Sequence, residues 1–225
     1  MIKFYFSGAP NPMKVALFLE EANLQYEPIP VDTLNGDQFK PEFALLNQNN
    51  KVPVIVDGDV TVFDSNAILL YLGEKIGKFM PSADEANRTQ LLSWLMFVGT
   101  GVGPYSGQCV HFRHFAPEPN PYAIERYTFE AKRHYGILNA HLQGRAYMID
   151  DTYSIVDMSV WGWARMISFI LGEDYWTEVP NLKRLVDEVE GKPAAKTAVA
   201  LKSRFTFKSE MDDEARRNMF RHIKS

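Results

Sequence analysis

The sequence holds a single cysteine, Cys109, among its 225 residues. That excludes an internal disulfide, a two-cysteine redox motif and a cysteine-rich metal site. Cys109 reads first as a small buried hydrophobe, with a reactive thiol as the alternative. Thiol chemistry in this protein therefore needs a sulfur brought by a ligand. A basic block is also missing and the net charge is −4, which argues against a nucleic-acid-binding surface. No apolar run approaches the roughly 20 residues of a membrane span. Residues 1–7 lack the charged-then-apolar pattern of a secretory signal, so the expectation is no membrane and no export. No internal repeat or low-complexity tract stands out.

What is present is a chain 46% hydrophobic, enough for one large domain or two small ones. Lys3-Phe4-Tyr5-Phe6 reads as a strand. From Asn11 the period changes: Val15, Phe18, Leu19 and Ala22 share one helix face. Asn11 is a plausible N-cap, with Pro12 at the first helical position. Residues 26–31 return to strand, and 39–46 form a short helical stretch. Residues 52–56 read as a buried strand, Asp57-Gly58-Asp59 turns, and 61–63 follow as its hairpin partner. Ile68, Tyr71, Leu72 and Ile76 mark another helix. The order β-α-β-α-β-β-α implies a mixed four-stranded sheet with helices packed on it.

Residues 77–84 carry Gly, Pro and Ser without periodicity and read as a linker. This divides the chain into a sheet domain over residues 1–80 and an all-helical domain over 86–225. Helices are predicted over 89–110 (long or broken), 122–142 and 154–171, with shorter ones after Pro180 and Pro193. Ser154-Ile155-Val156-Asp157 is a capping box ahead of an apolar helix, a structural device. Residues 205–225 are heavily charged and read as an exposed helix or frayed tail.

Three signals in order, Lys51-Val52-Pro53, then Phe63-Asp64-Ser65-Asn66-Ala67-Ile68, then the Ser154 capping box, resemble the cytosolic glutathione transferases over nearly the whole chain. Ala9-Pro10-Asn11-Pro12 with Phe18-Leu19-Glu20-Glu21, Gly103-Pro104, Gly107-Gln108 and residues 121–127 resemble the bacterial nu class, which is related to the yeast nitrogen-regulator prion protein. The resemblance implies a thioredoxin-like α/β N-terminal domain and an all-α C-terminal domain. It implies glutathione as co-substrate, glutathione disulfide as an alternative ligand, and a cytoplasmic homodimer active in detoxification. The second substrate is an electrophile, a disulfide or a peroxide. A distinct alternative is a non-catalytic glutathione-binding or regulatory protein of the same fold.

The resemblance also assigns residues. A cis bond before Pro53 would turn the Val52 N–H and C=O toward an extended peptide ligand, as an added strand; alone, Pro53 reads as an edge-strand proline. Ser65 starts a helix, whose N-terminus suits a γ-glutamyl carboxylate, or is simply capped. Asp64 would pair with the γ-glutamyl ammonium. Lys51 and Gln38 are candidates for the glycyl carboxylate, one as a charge and the other as an amide donor. Asn11 would donate to the glutathione thiolate, in competition with capping its own helix. Ala9 stands where the nu class commonly has Thr, so one hydroxyl donor is gone. Arg126 would hold glutathione or its disulfide, or be a surface arginine. Tyr105, His111, Arg113 and His114 fall near the expected second-substrate mouth. His111 and His114 are three apart without a further ligand cluster, so no metal site is expected.

Overall fold

Ile2, Phe4 and Phe6 alternate with exposed Lys3 and half-buried Tyr5, and this two-residue period makes β1 (Ile2–Phe6). The computed structural model describes residues 1–149 and 151–221. Helix α1 (Pro10–Glu21) follows, then β2 (Tyr26–Pro30), a 3₁₀ turn at Asp37–Phe39, α2 (Pro41–Ala44), β3 (Val54–Asp57), β4 (Val60–Phe63) and α3 (Ser65–Ile76). The sheet order is β2-β1-β3-β4, with β1 parallel to β2 and the other pairs antiparallel. This is the mixed four-stranded sheet that the sequence predicts. Beyond it the chain is helical: α4 (Glu85–Phe97), α5 (Gly103–Val110), α6 (Pro121–His141), α7 (Ile155–Ala164), α8 (Ile167–Leu171), α9 (Pro180–Gly191), α10 (Pro193–Ala200) and α11 (Asp213–Met219). The helical stretch predicted over 89–110 is broken by a π-helical turn at Val98–Val102. There a side chain on Gly101 would collide with the His134 ring, 2.5 Å away.

The chain forms two compact units, residues 1–71 with 193 onward, and residues 72–192. The boundary falls inside α3, not at 77–84, and the C-terminal residues join the sheet unit. In that first unit α1 is buried from Pro12 to Leu19 and packs on α10. On a smaller cluster, Phe43 of α2 meets Val31 and Val54, with Tyr5, Leu46 and Val52 against them. In the second unit the Ser154 capping box forms as the sequence predicts, and Asp157 is fully buried. Asp157 accepts from the N–H of Met148 and of Ser154, both at 2.8 Å. Burial nevertheless pushes its carboxyl up to about 6.

The charged tail contains the largely exposed helix that the sequence predicts, α11, but the residues ahead of it dock on the sheet unit rather than fray. Phe205 and Phe207 pack edge-on against Phe6, at 5.5 and 6.0 Å between ring centroids. The Lys208 N–H donates to Asp32 at 2.6 Å, and its ammonium pairs with Asp212 and Glu214. Asp212 caps α11, and Asn218 donates to the Leu34 carbonyl at 2.8 Å. The Phe-Thr-Phe alternation that anchors the segment is only three residues long, and its charged flanks mask it.

Candidate functional site at one end of the sheet

Register places the predicted residues. Val54 pairs with Tyr5 on one side and with Phe63 on the other. The loop entering β3 (Lys51-Val52-Pro53), the one leaving β1 (Ser7 to Asn11) and the one leaving β4 (Asp64-Ser65) therefore emerge at the same end of the sheet. β2 leaves here as well, since Pro30 pairs with Phe6 and the Val31 N–H donates to the Phe6 carbonyl at 2.8 Å. Residues 31–38 thus start from this end. The sheet gathers Asn11, Val52, Pro53, Asp64 and Ser65 from segments up to about fifty positions apart.

The Val52–Pro53 bond is cis, as the resemblance implies. Val52 lies outside β3 and is half-buried against the Phe43 cluster, so its backbone is held without a place in the ladder. Lys51 is exposed, and its carbonyl accepts from the Asn47 amide at 2.8 Å.

The N-terminus of α3 is built in two layers. Asp64 sits at φ 71°, a left-handed conformation that aspartate tolerates better than most residues. Its Oδ1 accepts from the N–H groups of Asn66 (2.9 Å) and Ala67 (3.1 Å), so Asp64 caps the helix and Ser65 does not. Ser65 is buried, and its hydroxyl accepts from the Lys14 ammonium at 3.4 Å, as does the Asn66 side-chain oxygen. Lys14 is 1% exposed. Burial lowers its pKa to about 7, with the charge of Asp64 opposing that fall.

Lys14 was not foreseen as a site residue. Its signal in the sequence is its place one helical turn before Phe18, on the apolar face of α1, where a lysine needs a reason to be. It puts a titratable cation beneath the point where the helix end and Asp64 meet. Such an arrangement suits a zwitterionic head group carrying both a carboxylate and an ammonium.

Gln38 is also buried. Its amide N–H groups face the carbonyls of Thr33 (3.2 Å) and Asn218 (3.4 Å), and its Oε1 has no partner among the described residues. Donation to a ligand carboxylate therefore requires Gln38 to exchange a carbonyl for it.

Helix α1 begins two residues earlier than expected. Ala9 is the N-cap, Pro10 the first helical residue, and no side chain caps the end. Asn11 lies in the first turn, half-buried, so capping and thiolate donation do not compete for it. Pro10 and Pro12 each lack an N–H, which strips this helix end of two donors.

The remaining candidates lie on the second unit. Arg126 is exposed on α6 and donates to Glu130 at 2.8 Å. Arg133 holds the other oxygen of Glu130 at 2.9 Å, and these arginines lower the Glu130 pKa, the bond from Arg133 contributing most. Glu130 is a second residue missed in the sequence, and the four-residue spacing from Arg126 is its signal. Tyr105 stacks on His134 at 4.9 Å, and His114 stacks on Phe169. Cys109 is buried, its sulfur near Thr128 and the Ile170 carbonyl, both at 3.6 Å. Burial raises its thiol pKa, which makes it a poor nucleophile.

Residues 1–74 match the family model described as Glutathione S-transferase, N-terminal domain, and residues 120–200 match Glutathione S-transferase, C-terminal domain. The chain belongs to the glutathione S-transferase family. Among curated relatives it is similar to the disulfide-bond oxidoreductase YfcG of Escherichia coli, 39% identical over 213 residues, covering 88% of this chain and 94% of that protein. Among solved structures it is similar to a glutathione transferase from Burkholderia graminis with two glutathione molecules per subunit, at TM-score 0.85 and 35% identity, covering 91% of this chain and 89% of the other. A glutathione transferase from Pseudomonas putida holding one glutathione disulfide per subunit gives TM-score 0.84 at 36% identity, covering 89% and 91%. Among the described residues, no helix of this family member is long and apolar enough to cross a membrane.

Proposed function

We propose that this glutathione S-transferase binds glutathione at the sheet end of its first unit and works through the ligand's own thiol. The cis Val52–Pro53 bond and the capped start of α3 above Lys14 carry this reading. The Val52 backbone pairs with the cysteinyl residue. The α3 N-terminus and Ser65 take the γ-glutamyl carboxylate, with Asp64 on the ammonium. Lys51 and Gln38 take the glycyl carboxylate, and Asn11 donates to the sulfur. A free thiol of pKa about 8.5 is only a few per cent thiolate at neutral pH. One donor to the anion, worth about 1.5–3 kcal/mol, shifts that by roughly one to two units.

The thiolate then has three classes of partner. It adds to an electrophile, forming a C–S bond. Or it attacks a disulfide RS–SR, forming G–S–S–R and releasing RS⁻, and a second glutathione displaces the other RS⁻ to leave glutathione disulfide. Two electrons pass from two glutathiones to the disulfide. A peroxide is the third substrate class, reduced to the alcohol or water by the same two thiols. The YfcG relative and the two-glutathione neighbour favour the disulfide route. Arg126, held by Glu130, then serves the second glutathione. A cytoplasmic homodimer is part of this reading. Calorimetry with glutathione, followed by assays with an electrophile, a disulfide and a peroxide, tests it. Binding without turnover in all three assays leaves a glutathione-binding protein without catalysis, and absence of binding refutes the reading.

A further inference from the structure

Gly8 stands between β1 and Ala9, the N-cap of α1. A methyl group placed on it would lie 2.7 Å from Cδ of Lys202 and 3.4 Å from its Cε. The lysine stem thus crosses close over the Gly8 backbone, where a larger residue would push the stem aside. Lys202 belongs to a 3₁₀ turn at Leu201–Arg204 that directly follows α10. The turn is closed by the Phe205 N–H on the Lys202 carbonyl at 3.2 Å and anchored by Phe205 and Phe207 on Phe6. The Lys202 ammonium sits 5.9 Å from the centroid of the Phe207 ring. Among the described residues no carboxylate lies within ion-pair distance of it. An exposed cation without a counter-ion among the described residues therefore lies beside a loop that lacks a hydroxyl at Ala9 and two N–H donors at Pro10 and Pro12.

We propose that Lys202 belongs to the sulfur site: its ammonium stabilises the thiolate of bound glutathione through space, from the C-terminal segment of the same unit. The inference rests on glutathione binding at this sheet end. It adds a charge to a set of donors that is otherwise neutral, Asn11 and backbone N–H groups. Because Lys202 is exposed, solvent and salt screen the effect, which keeps it modest.

The test is a thiolate titration. Ultraviolet absorbance of the thiolate is followed against pH for glutathione bound to the unaltered protein and to Lys202→Met, Lys202→Glu and Lys202→Arg. The Met variant keeps the stem over Gly8 and removes the charge. Its bound-thiol pKa is expected to rise by roughly half a unit, leaving about one third of the thiolate at neutral pH, and the Glu variant by about one unit. Arg is expected to restore the original value, and raised salt to shrink the difference. Affinity for S-methylglutathione, which has no ionisable thiol, is expected to stay within about twofold across the series. Thermal melts confirm that each variant is folded. If the unaltered protein does not bind glutathione, the proposed function and this inference both fall. If it binds and the titration is the same in the Met and Glu variants, the inference alone is overturned. A loss of S-methylglutathione affinity with an unmoved titration overturns it as well, by placing Lys202 on a carboxylate.

Discussion

Two helix N-termini face the same end of the sheet, and they are built in opposite ways. The start of α3 is furnished: Asp64 accepts from two N–H groups, Ser65 is tied to Lys14, and Lys14 puts a cation beneath them. The start of α1 is barer, with the Ser7 hydroxyl accepting from the Ala9 N–H at 3.3 Å. Ala9 contributes no side-chain cap, and prolines occupy the first and third helical positions. The difference suits two tasks. A charged head group needs fixed partners of both signs. A thiolate needs only a few weak donors, because too many would make it a poorer nucleophile.

The contrast can be broken most strongly at Asp64. Asp64→Ala removes the cap and the proposed ammonium partner and leaves a residue ill-suited to φ 71°. Glutathione affinity is expected to fall by about 100-fold and stability by about 1–2 kcal/mol. Asp64→Asn keeps an acceptor and tolerates the backbone, so it should weaken binding with little loss of stability. Calorimetry and chemical unfolding of the two variants separate cap from charge. Equal losses of stability in both would show that the cap is not what matters.

Lys14 gives the next largest effect, read as a pH dependence. Its pKa is 10.5 in a solvated chain and about 7 when folded. Between those values the unfolded chain holds the extra proton, so stability rises as pH increases. From pH 7 to pH 9 the gain is about 2 kcal/mol, and it should vanish in Lys14→Met. Denaturant unfolding at the two pH values checks this, and an identical rise in the variant would remove Lys14 as its source.

Asn11→Ala tests the bare end. Turnover and the thiolate fraction should fall by about tenfold while glutathione affinity changes little. An unaltered rate would sink the donor role. The smallest effect comes from furnishing α1 on purpose. Ala9→Thr places a hydroxyl at an extended N-cap and should raise the thiolate fraction roughly two- to threefold, with about 0.5 kcal/mol of added stability. No gain in thiolate would mean that the Ala9 side chain points away from the sulfur.

The sheet and its helices were legible because their signals are periodic and long. The two-residue alternation of β1, the hairpin at Asp57-Gly58-Asp59 and the apolar faces of α1 and α3 each repeat several times. The Asp64-Ser65 and Val52-Pro53 assignments came from resemblance, and the register of β1, β3 and β4 supplies a physical reason for their meeting. Other features escaped, Glu130 among them. Lys14 is hidden because burial of a cation depends on what packs over it, which the α1 sequence does not contain. The cap of α1 was misplaced by two residues because both Pro10 and Pro12 qualify for the first helical position. The docking of residues 205–221 was missed because long-range contacts of a charged segment leave almost no periodic trace.

The first unit is assembled from both ends of the chain, with α10 lying against α1. During synthesis, residues 72–192 leave the ribosome before α10 exists, so the helical unit has everything it needs first. The sheet unit has to wait, with the α1 surface that α10 will cover still open, until residues 193–200 have been made. A ribosome stalled before residue 193 would therefore display an apolar helix face to the cell's chaperones, and the synthesis of residues 193–200 decides when it is covered.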